Sequence, residues 1–209
     1  MEIELKYLVK DEFVRDKILS DKHLEAMMQK DSYEEIEMKA LYLDTEELDF
    51  LKEKIAFRIR MENGRPVATL KWGGGNEGAL HARGELNVVV DEKYIKDPDV
   101  EIFKGSEMYD KLKALSAHKS LIGLMSTNCI RKQIMVDTGR SISVISLDVG
   151  EITTDFGSAP ISELEVELYS GDEQDMIALG EELAAKYNLE AGVKSKFRVG
   201  LDLLGLSES

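Results

Sequence analysis

Residues 163–168 run Glu-Leu-Glu-Val-Glu-Leu. An extended strand sends alternate side chains to opposite faces. Glu163, Glu165 and Glu167 therefore share one face, and Leu164, Val166 and Leu168 share the other. Like charges side by side on a sheet repel, so such a strand is tenable where cations sit between the carboxylates. The chain opens with the same alternation: Glu2, Glu4 and Lys6 interleave with Ile3, Leu5 and Tyr7. Other segments supply the opposite charge. Arg58 and Arg60 share a face, as do Thr69 with Lys71 and Arg83 with Glu85, and Lys194 and Lys196 bracket Ser195.

A charged strand face is ordinarily the solvent side of an antiparallel sheet. Here acids and bases are segregated, and each row repels itself. That segregation suits a polyanion held through divalent metal. Carboxylate oxygens take Mg²⁺ or Mn²⁺, and Arg and Lys take phosphate oxygens. A polar interior also accounts for the apolar faces. Ile3/Leu5/Tyr7, Phe57/Ile59, Ile142/Val144 and Leu164/Val166/Leu168 then point outward, and amphipathic helices at 11–20, 45–54, 106–116 and 172–187 cover them.

The remaining pattern predicts about eight strands. Segments at 1–9, 33–43, 57–61, 67–72, 80–90, 130–137, 142–148 and 161–169 are strand-like. Asn63-Gly64 and Thr138-Gly139-Arg140 read as hairpin turns, and Gly73–Gly75 as a hairpin loop. Asp11 and Thr45 are placed to cap short helices, and 196–204 closes the chain as another. Strands joined by hairpins and short helices give an α+β class, and eight antiparallel strands can close into a barrel without edges. The 209 residues carry no Ser/Gly/Pro linker, so 1–209 reads as a single domain.

Composition narrows the partners. Lys and Arg number 27 against 41 Asp and Glu, a net charge of −14. That balance disfavours long nucleic acids and anionic membrane surfaces, but not a local basic cavity. The lone Cys129 excludes an internal disulfide and a cysteine-built zinc site, and His23, His81 and His118 lack metal-ligand spacing. Gly73–Gly75 and Gly78 are not followed by Gly-Lys-Ser/Thr, so they do not form a phosphate loop. Trp72 is expected to pack rather than stack on a ligand. No apolar run is long enough to span a membrane. The opening Met1–Glu4 lacks the basic and apolar regions of a secretory signal. Both absences lead us to expect a cytoplasmic protein.

At this point the ordered residues resemble the CYTH superfamily, the triphosphate tunnel metalloenzymes. Glu2-Ile3-Glu4-Leu5-Lys6 matches the ExExK signature, and Tyr42-Leu43-Asp44-Thr45 with Leu48 is similar to the Y-[FL]-D-T segment. Ala56–Arg60, Thr69-Leu70-Lys71 and Arg83-Gly84-Glu85 resemble the LRIR, TLK and RxE segments. Arg131, Leu147-Asp148, the Glu163–Leu168 strand and Lys194-Ser195-Lys196-Phe197 complete the series. The resemblance spans essentially the whole chain.

It implies an eight-stranded antiparallel β-barrel tunnel with a polar lumen and helices outside. It implies a metal-dependent triphosphatase acting on a small triphosphate-containing substrate, with inorganic triphosphate the simplest choice. Thiamine triphosphatase, class IV adenylate cyclase and a non-catalytic polyphosphate or nucleotide sensor stand as alternatives. By the resemblance, two Mg²⁺ or Mn²⁺ sites are expected. Glu2, Glu4 and Glu165 would hold one metal, and Glu85, Asp148 and Glu167 the other. Lys6, Arg58, Arg60, Lys71, Arg83, Arg131, Lys194 and Lys196 would grip phosphate oxygens, with Lys6, Arg58, Arg60 and Lys194 catalytic. Asn87 departs from the pattern, since an acid often follows the RxE glutamate there. Nothing like the helical CHAD domain follows the barrel segments. Apolar surface left exposed on such a barrel is compatible with a homodimer.

Overall fold

The alternation of charged and apolar residues along β1 (Glu2–Leu8) and β8 (Gly157–Gly171) brings the two ends of the chain side by side, with Lys6 opposite Glu165. The structure, a computed structural model, describes residues 1–117 and 119–206; His118 lies outside them. Between β1 and β8 run β2 (Glu34–Thr45), β3 (Ile55–Glu62), β4 (Arg65–Glu77), β5 (Leu80–Val89), β6 (Leu121–Asp137) and β7 (Ser141–Thr154). They hydrogen-bond in the order β5-β4-β3-β2-β6-β7-β8-β1, and β5 pairs back onto β1. Every pairing is antiparallel. The result is the closed eight-stranded barrel that the sequence predicts, with its strand edges consumed by closure. A two-residue strand, β9 (Glu190–Ala191), extends the edge of β1 beyond β5, pairing with Tyr7 and Leu8.

Helices cover the apolar exterior in two patches. On one side α1 (Glu12–Lys17), α2 (Lys22–Met27) and α6 (Glu173–Tyr187) close over Leu5, Tyr7, Ile145, Leu147, Leu164 and Val166. On the other, α3 (Asp49–Lys52), α5 (Tyr109–Ser116) and a 3-10 turn at Val100–Phe103 bury Phe57, Ile59, Ala68 and Leu70. Phe57 meets Phe103 edge-on at 5.1 Å, and both are essentially inaccessible. Burying such a ring contributes about 1.5–3 kcal/mol. A third apolar cluster lies inside the barrel. There α7 (Lys196–Leu203) packs Phe197 and Leu201 against Tyr42, Met38, Met125 and Ile152. The lumen is thus plugged at that end by a helix, a feature the expectation of a polar interior did not include. No helix among the described residues is long and apolar enough to cross a membrane.

Several local expectations change. Gly73–Gly75 is not a hairpin loop. Strand β4 continues to Glu77, with a register shift between Trp72 and Gly75, and the chain reverses at Gly78-Ala79. Gly74 is needed there, because a Cβ would lie 2.0 Å from the Ala82 carbonyl oxygen. Val144 does not face outward: it stands opposite Glu167, which lines the lumen, and Ile145 and Leu147 fill the outer core instead. Val144 shares the face of Asp148 with no bulge between them, so period two places both inward; the bulge lies earlier, between Ile142 and Ser143. Thr45 does not cap α3 alone. The buried Asp44 carboxylate accepts from the backbone N–H of Phe50 and Leu51, while Thr45 Oγ1 accepts from Asp49 N–H. Helix α2 and the short α4 (Lys93–Lys96) were not anticipated.

Candidate active site

The inward faces of β1–β8 and the start of α7 enclose a cavity of about 460 Å³. Nine basic and six acidic side chains line it. The strand register explains how the rows meet, because directly opposed residues share a face. Glu2 stands opposite Arg83, Lys6 opposite Glu165, Lys71 opposite Glu85, and Arg131 opposite Asp148. At these four rungs an acid on one strand meets a base on the next.

The geometry follows that register. Arg131 donates through Nε and Nη2 to the two oxygens of Asp148, both at 2.7 Å, and through Nη2 to Glu165 at 2.5 Å. Lys196 Nζ reaches Asp148 at 2.8 Å and Glu165 at 2.9 Å, and Lys6 Nζ reaches Glu165 at 2.8 Å. Burial opposes ionisation of Glu165, but Lys196, Lys6 and Arg131 hold its carboxyl well below the usual range. Likewise Arg131 and Lys196 outweigh burial at Asp148 and keep it low. Lys71 bridges Glu2 at 2.7 Å and Glu85 at 3.0 Å, and with Asn87 it brings Glu85 down to about 2 against burial. Arg83 binds Glu2 at 3.0 Å and Glu4 at 2.9 Å.

Two groups of charge are less fully paired. Arg58 and Arg60 project from β3 into the cavity, with Phe57 and Ile59 behind them in the core. Arg58 donates through Nη1 to the Tyr42 hydroxyl at 3.2 Å, but its buried Nε has no hydrogen-bond partner. Arg60 Nε lies 2.5 Å from a Glu62 oxygen yet out of line with it, so it makes an ion pair without a hydrogen bond. Burial and the neighbouring Arg58 depress the Arg60 guanidinium to about 10. The second group is acidic. Glu167 stands directly opposite Glu4, carries no ion pair among the described residues, and is pushed up to about 7 by burial and by Glu2, Glu4 and Glu85.

Asp148 lies apart from Glu85 and Glu167, the acids expected to share a metal with it, whereas Lys6 links Glu4 and Glu165 of the other expected set, at 3.8 and 2.8 Å. Asp148 pairs across from Glu163, four residues along β8 from Glu167, or about 13 Å at 3.3 Å per residue. It lies with Glu165 among cations, whereas Glu2, Glu4, Glu85 and Glu167 lie together. Among the described residues no three acids or histidines converge closely enough to hold an ion as built. Lys194 also departs: its exposed ammonium pairs with Asp202 on α7 and does not line the cavity. Arg198, two residues further, lines it instead, as does Lys54. The Ser195 N-cap starts α7 at Lys196, so helical rather than strand spacing decides which side chains enter. Trp72 reaches the cavity wall while packing over Gly84, where a Cβ would meet its ring at 2.5 Å. Cys129 also lines the wall, and burial followed by Asp148 lifts its thiol to about 11.

A closed antiparallel barrel with opposed acid and base rows inside defines the class: a barrel with a charged tunnel through it. The chain belongs to the CYTH family, whose domain profile matches residues 1–201. It is 30% identical over 164 residues to an inorganic triphosphatase of Haemophilus influenzae, covering 78% of this chain and 45% of that protein. The chain thus spans about half the length of this curated relative. Among solved structures, an adenylyl cyclase candidate of Hippeastrum with a dominant triphosphatase activity superposes with a TM-score of 0.71 at 18% identity, covering 97% of this chain and 96% of that one. The RNA triphosphatase domain of a mimivirus mRNA capping enzyme gives 0.54 at 12% identity, covering 89% and 88%. At these identities the structural likeness concerns the fold.

Proposed function

We propose that the chain is a divalent-cation-dependent hydrolase of triphosphate substrates, with inorganic triphosphate the preferred one, yielding orthophosphate and pyrophosphate. The observation that carries this reading is the pair Arg58 and Arg60. Two guanidinium groups are buried in a cavity, and each leaves an Nε without a hydrogen bond. Buried polar groups ordinarily find partners, and phosphate oxygens match the guanidinium fork. The Haemophilus relative supports the choice of substrate.

Phosphoryl transfer depends mostly on positioning and charge stabilisation. Lys6, Arg58, Arg60, Lys71, Arg83, Arg131 and Lys196 surround the lumen and would fix the phosphate chain, with Arg198 completing the wall beside α7. Water attacks the terminal phosphorus and gives up a proton to solvent, the bond to the bridging oxygen breaks with its electron pair left on pyrophosphate, and charge accumulates on oxygens facing the guanidinium groups. Stabilisation of that charge by preorganised donors is the chief catalytic resource of such a site.

The donor set suits a hard cation at Glu2, Glu4, Glu85 and Glu167, since these are oxygen ligands and Glu167 lacks a counter-charge. Mg²⁺ or Mn²⁺ held there would offset phosphate charge and polarise the bond to be broken. Asp148 and Glu165, neutralised by Arg131, Lys196 and Lys6, serve in this reading to brace the basic wall.

The test is a substrate panel with Mg²⁺, Mn²⁺ or EDTA near pH 8–9, with products identified. Orthophosphate plus pyrophosphate from inorganic triphosphate supports the proposal. Thiamine diphosphate or cyclic AMP as the dominant product would reassign the substrate, and triphosphate binding without turnover would make the protein a sensor.

A further inference from the structure

Glu163 belongs to the same row as Glu165 and Glu167 but does not line the cavity. It is 5% exposed and stands opposite Asp148, an acid facing an acid. What separates the two is Lys196, whose Nζ lies 2.7 Å from Glu163 and 2.8 Å from Asp148. Lys6 Nζ approaches the same Glu163 oxygen at 3.4 Å. The two lysines come from opposite ends of the chain, one on β1 and one at the start of α7, and are 2% and 8% exposed. Both also reach a single Glu165 oxygen, Lys6 at 2.8 Å and Lys196 at 2.9 Å.

We propose that Glu163 is a positioning residue, which anchors the Lys6 and Lys196 ammonium groups from behind so that both face the phosphate chain in the tunnel. The inference rests on the reading of this tunnel as a triphosphate site. Two ammonium groups confined together repel, and each sits on a stem of four flexible carbons. Without a carboxylate on the wall side they would spread, and re-gathering them would cost ordering free energy at each binding event. Glu165 cannot serve alone. It lines the cavity and also accepts from Arg131 at 2.5 Å, so an anionic ligand in the lumen competes with it for the lysines. Glu163 faces inward one rung beyond the cavity lining and is 5% exposed, so a ligand in the cavity does not displace it. Oriented donors fixed before the substrate arrives are the means by which such a site stabilises phosphate charge.

Simple charge counting and positioning predict opposite results, which makes the inference testable. Glu163→Gln keeps the shape and removes a negative charge. If that charge only opposed the phosphate chain, the variant would bind inorganic triphosphate more tightly. If Glu163 anchors the lysines, binding weakens. The measurement is calorimetric titration of inorganic triphosphate in EDTA, with the melting temperature recorded for each protein. The expected result is a dissociation constant raised about tenfold, mirrored in KM more than in kcat when turnover is measured. In a Lys196→Met background the same substitution should change binding less than about threefold, since one anchored group is gone. Unchanged or tighter binding by Glu163→Gln, or full additivity with Lys196→Met, would overturn the inference. If Glu163→Gln lacks a cooperative melting transition, Glu163→Asp takes its place. It keeps the charge but withdraws the carboxylate by one methylene, and wild-type affinity would again overturn the inference. Failure of the wild-type protein to bind or hydrolyse triphosphate would instead sink the functional reading.

Discussion

Glu4 and Glu167 stand directly opposite one another on β1 and β8, an acid facing an acid across the barrel wall. Arg83 answers Glu4 at 2.9 Å, and among the described residues no ion pair answers Glu167. The second such rung, Asp148 opposite Glu163, has Lys196 between its members. One rung is neutralised by the protein's own cation; in the proposed reading the other takes a divalent cation from outside. Glu167→Gln should therefore raise the melting temperature in EDTA by about 2–4 °C, because it relieves repulsion. The same variant should lose most of the further rise that Mg²⁺ or Mn²⁺ gives the wild-type protein. Thermal melts of both proteins, with and without metal, check the two signs together.

Arg58 is expected to matter for reaction and little for folding. Its Nε is without a partner, and Arg60 beside it repels it. Arg58→Ala should lower kcat/KM for triphosphate by at least about 10²-fold, while the melting temperature moves by no more than a few degrees. Equal losses in rate and stability would mark the arginine as structural.

Arg131 should behave in the opposite way. Its guanidinium satisfies both oxygens of the buried Asp148 and one of Glu165. Arg131→Met leaves those charges stranded, and breaking a buried pair from one side costs about 3–5 kcal/mol. A fall in melting temperature of roughly 10 °C is expected. A change under about 3 °C would show that Asp148 finds compensation elsewhere.

Asp21 supplies a pH test remote from the tunnel. Its carboxylate caps α2 through the His23 N–H at 2.8 Å, pairs with Lys186 at 2.5 Å and accepts from the Tyr187 hydroxyl. Burial would raise it, but these partners hold it at about 2, against an ordinary 3.8. A carboxyl depressed on folding contributes stability above its unfolded pKa, and that contribution disappears as pH falls through the folded value. Asp21→Asn retains a capping oxygen and removes the charge. The wild type should exceed it by about 1 kcal/mol, ~2–4 °C, at pH 5–7. The two melting curves should converge as pH falls from 4 to 2, and a gap that persists at pH 2 would exclude the ionic contribution.

Much of the fold was legible because it obeys a period of two. The row at Glu163–Leu168, the pair Arg58 and Arg60, and the Asn63-Gly64 turn each carry a local signature, and the barrel follows from their number. What escaped was decided by register and by tertiary packing. The bulge near Gly75 moved a turn, whereas Val144 faces inward simply because it shares a strand face with Asp148, four residues on with no bulge between them. The partition of carboxylates between Asp148 with Glu165 and Glu2 with Glu4, Glu85 and Glu167 depends on which rungs align, and one strand does not encode that. Arg198 escaped for a different reason. It lies on a helix whose N-cap falls at Ser195, so a strand-like reading of Lys194 and Lys196 put the wrong partner beside Lys196 in the lumen.

The pairing of β1 with β8, β5 and β9 has a consequence for how the chain is made. Lys6 meets Glu165 across 159 residues, so β1 leaves the ribosome long before the strands that hold one of its sides. At about 5–20 residues per second, a nascent β1 waits on the order of 10–40 s for those partners. Until then its edges and its Ile3, Leu5 and Tyr7 face lie open to other chains. The same residue then carries a second duty: an unpaired Lys6 on a bare strand is the kind of charge that discourages edge-to-edge aggregation, so the group assigned to grip phosphate in the finished tunnel would first serve to keep the unfinished one soluble.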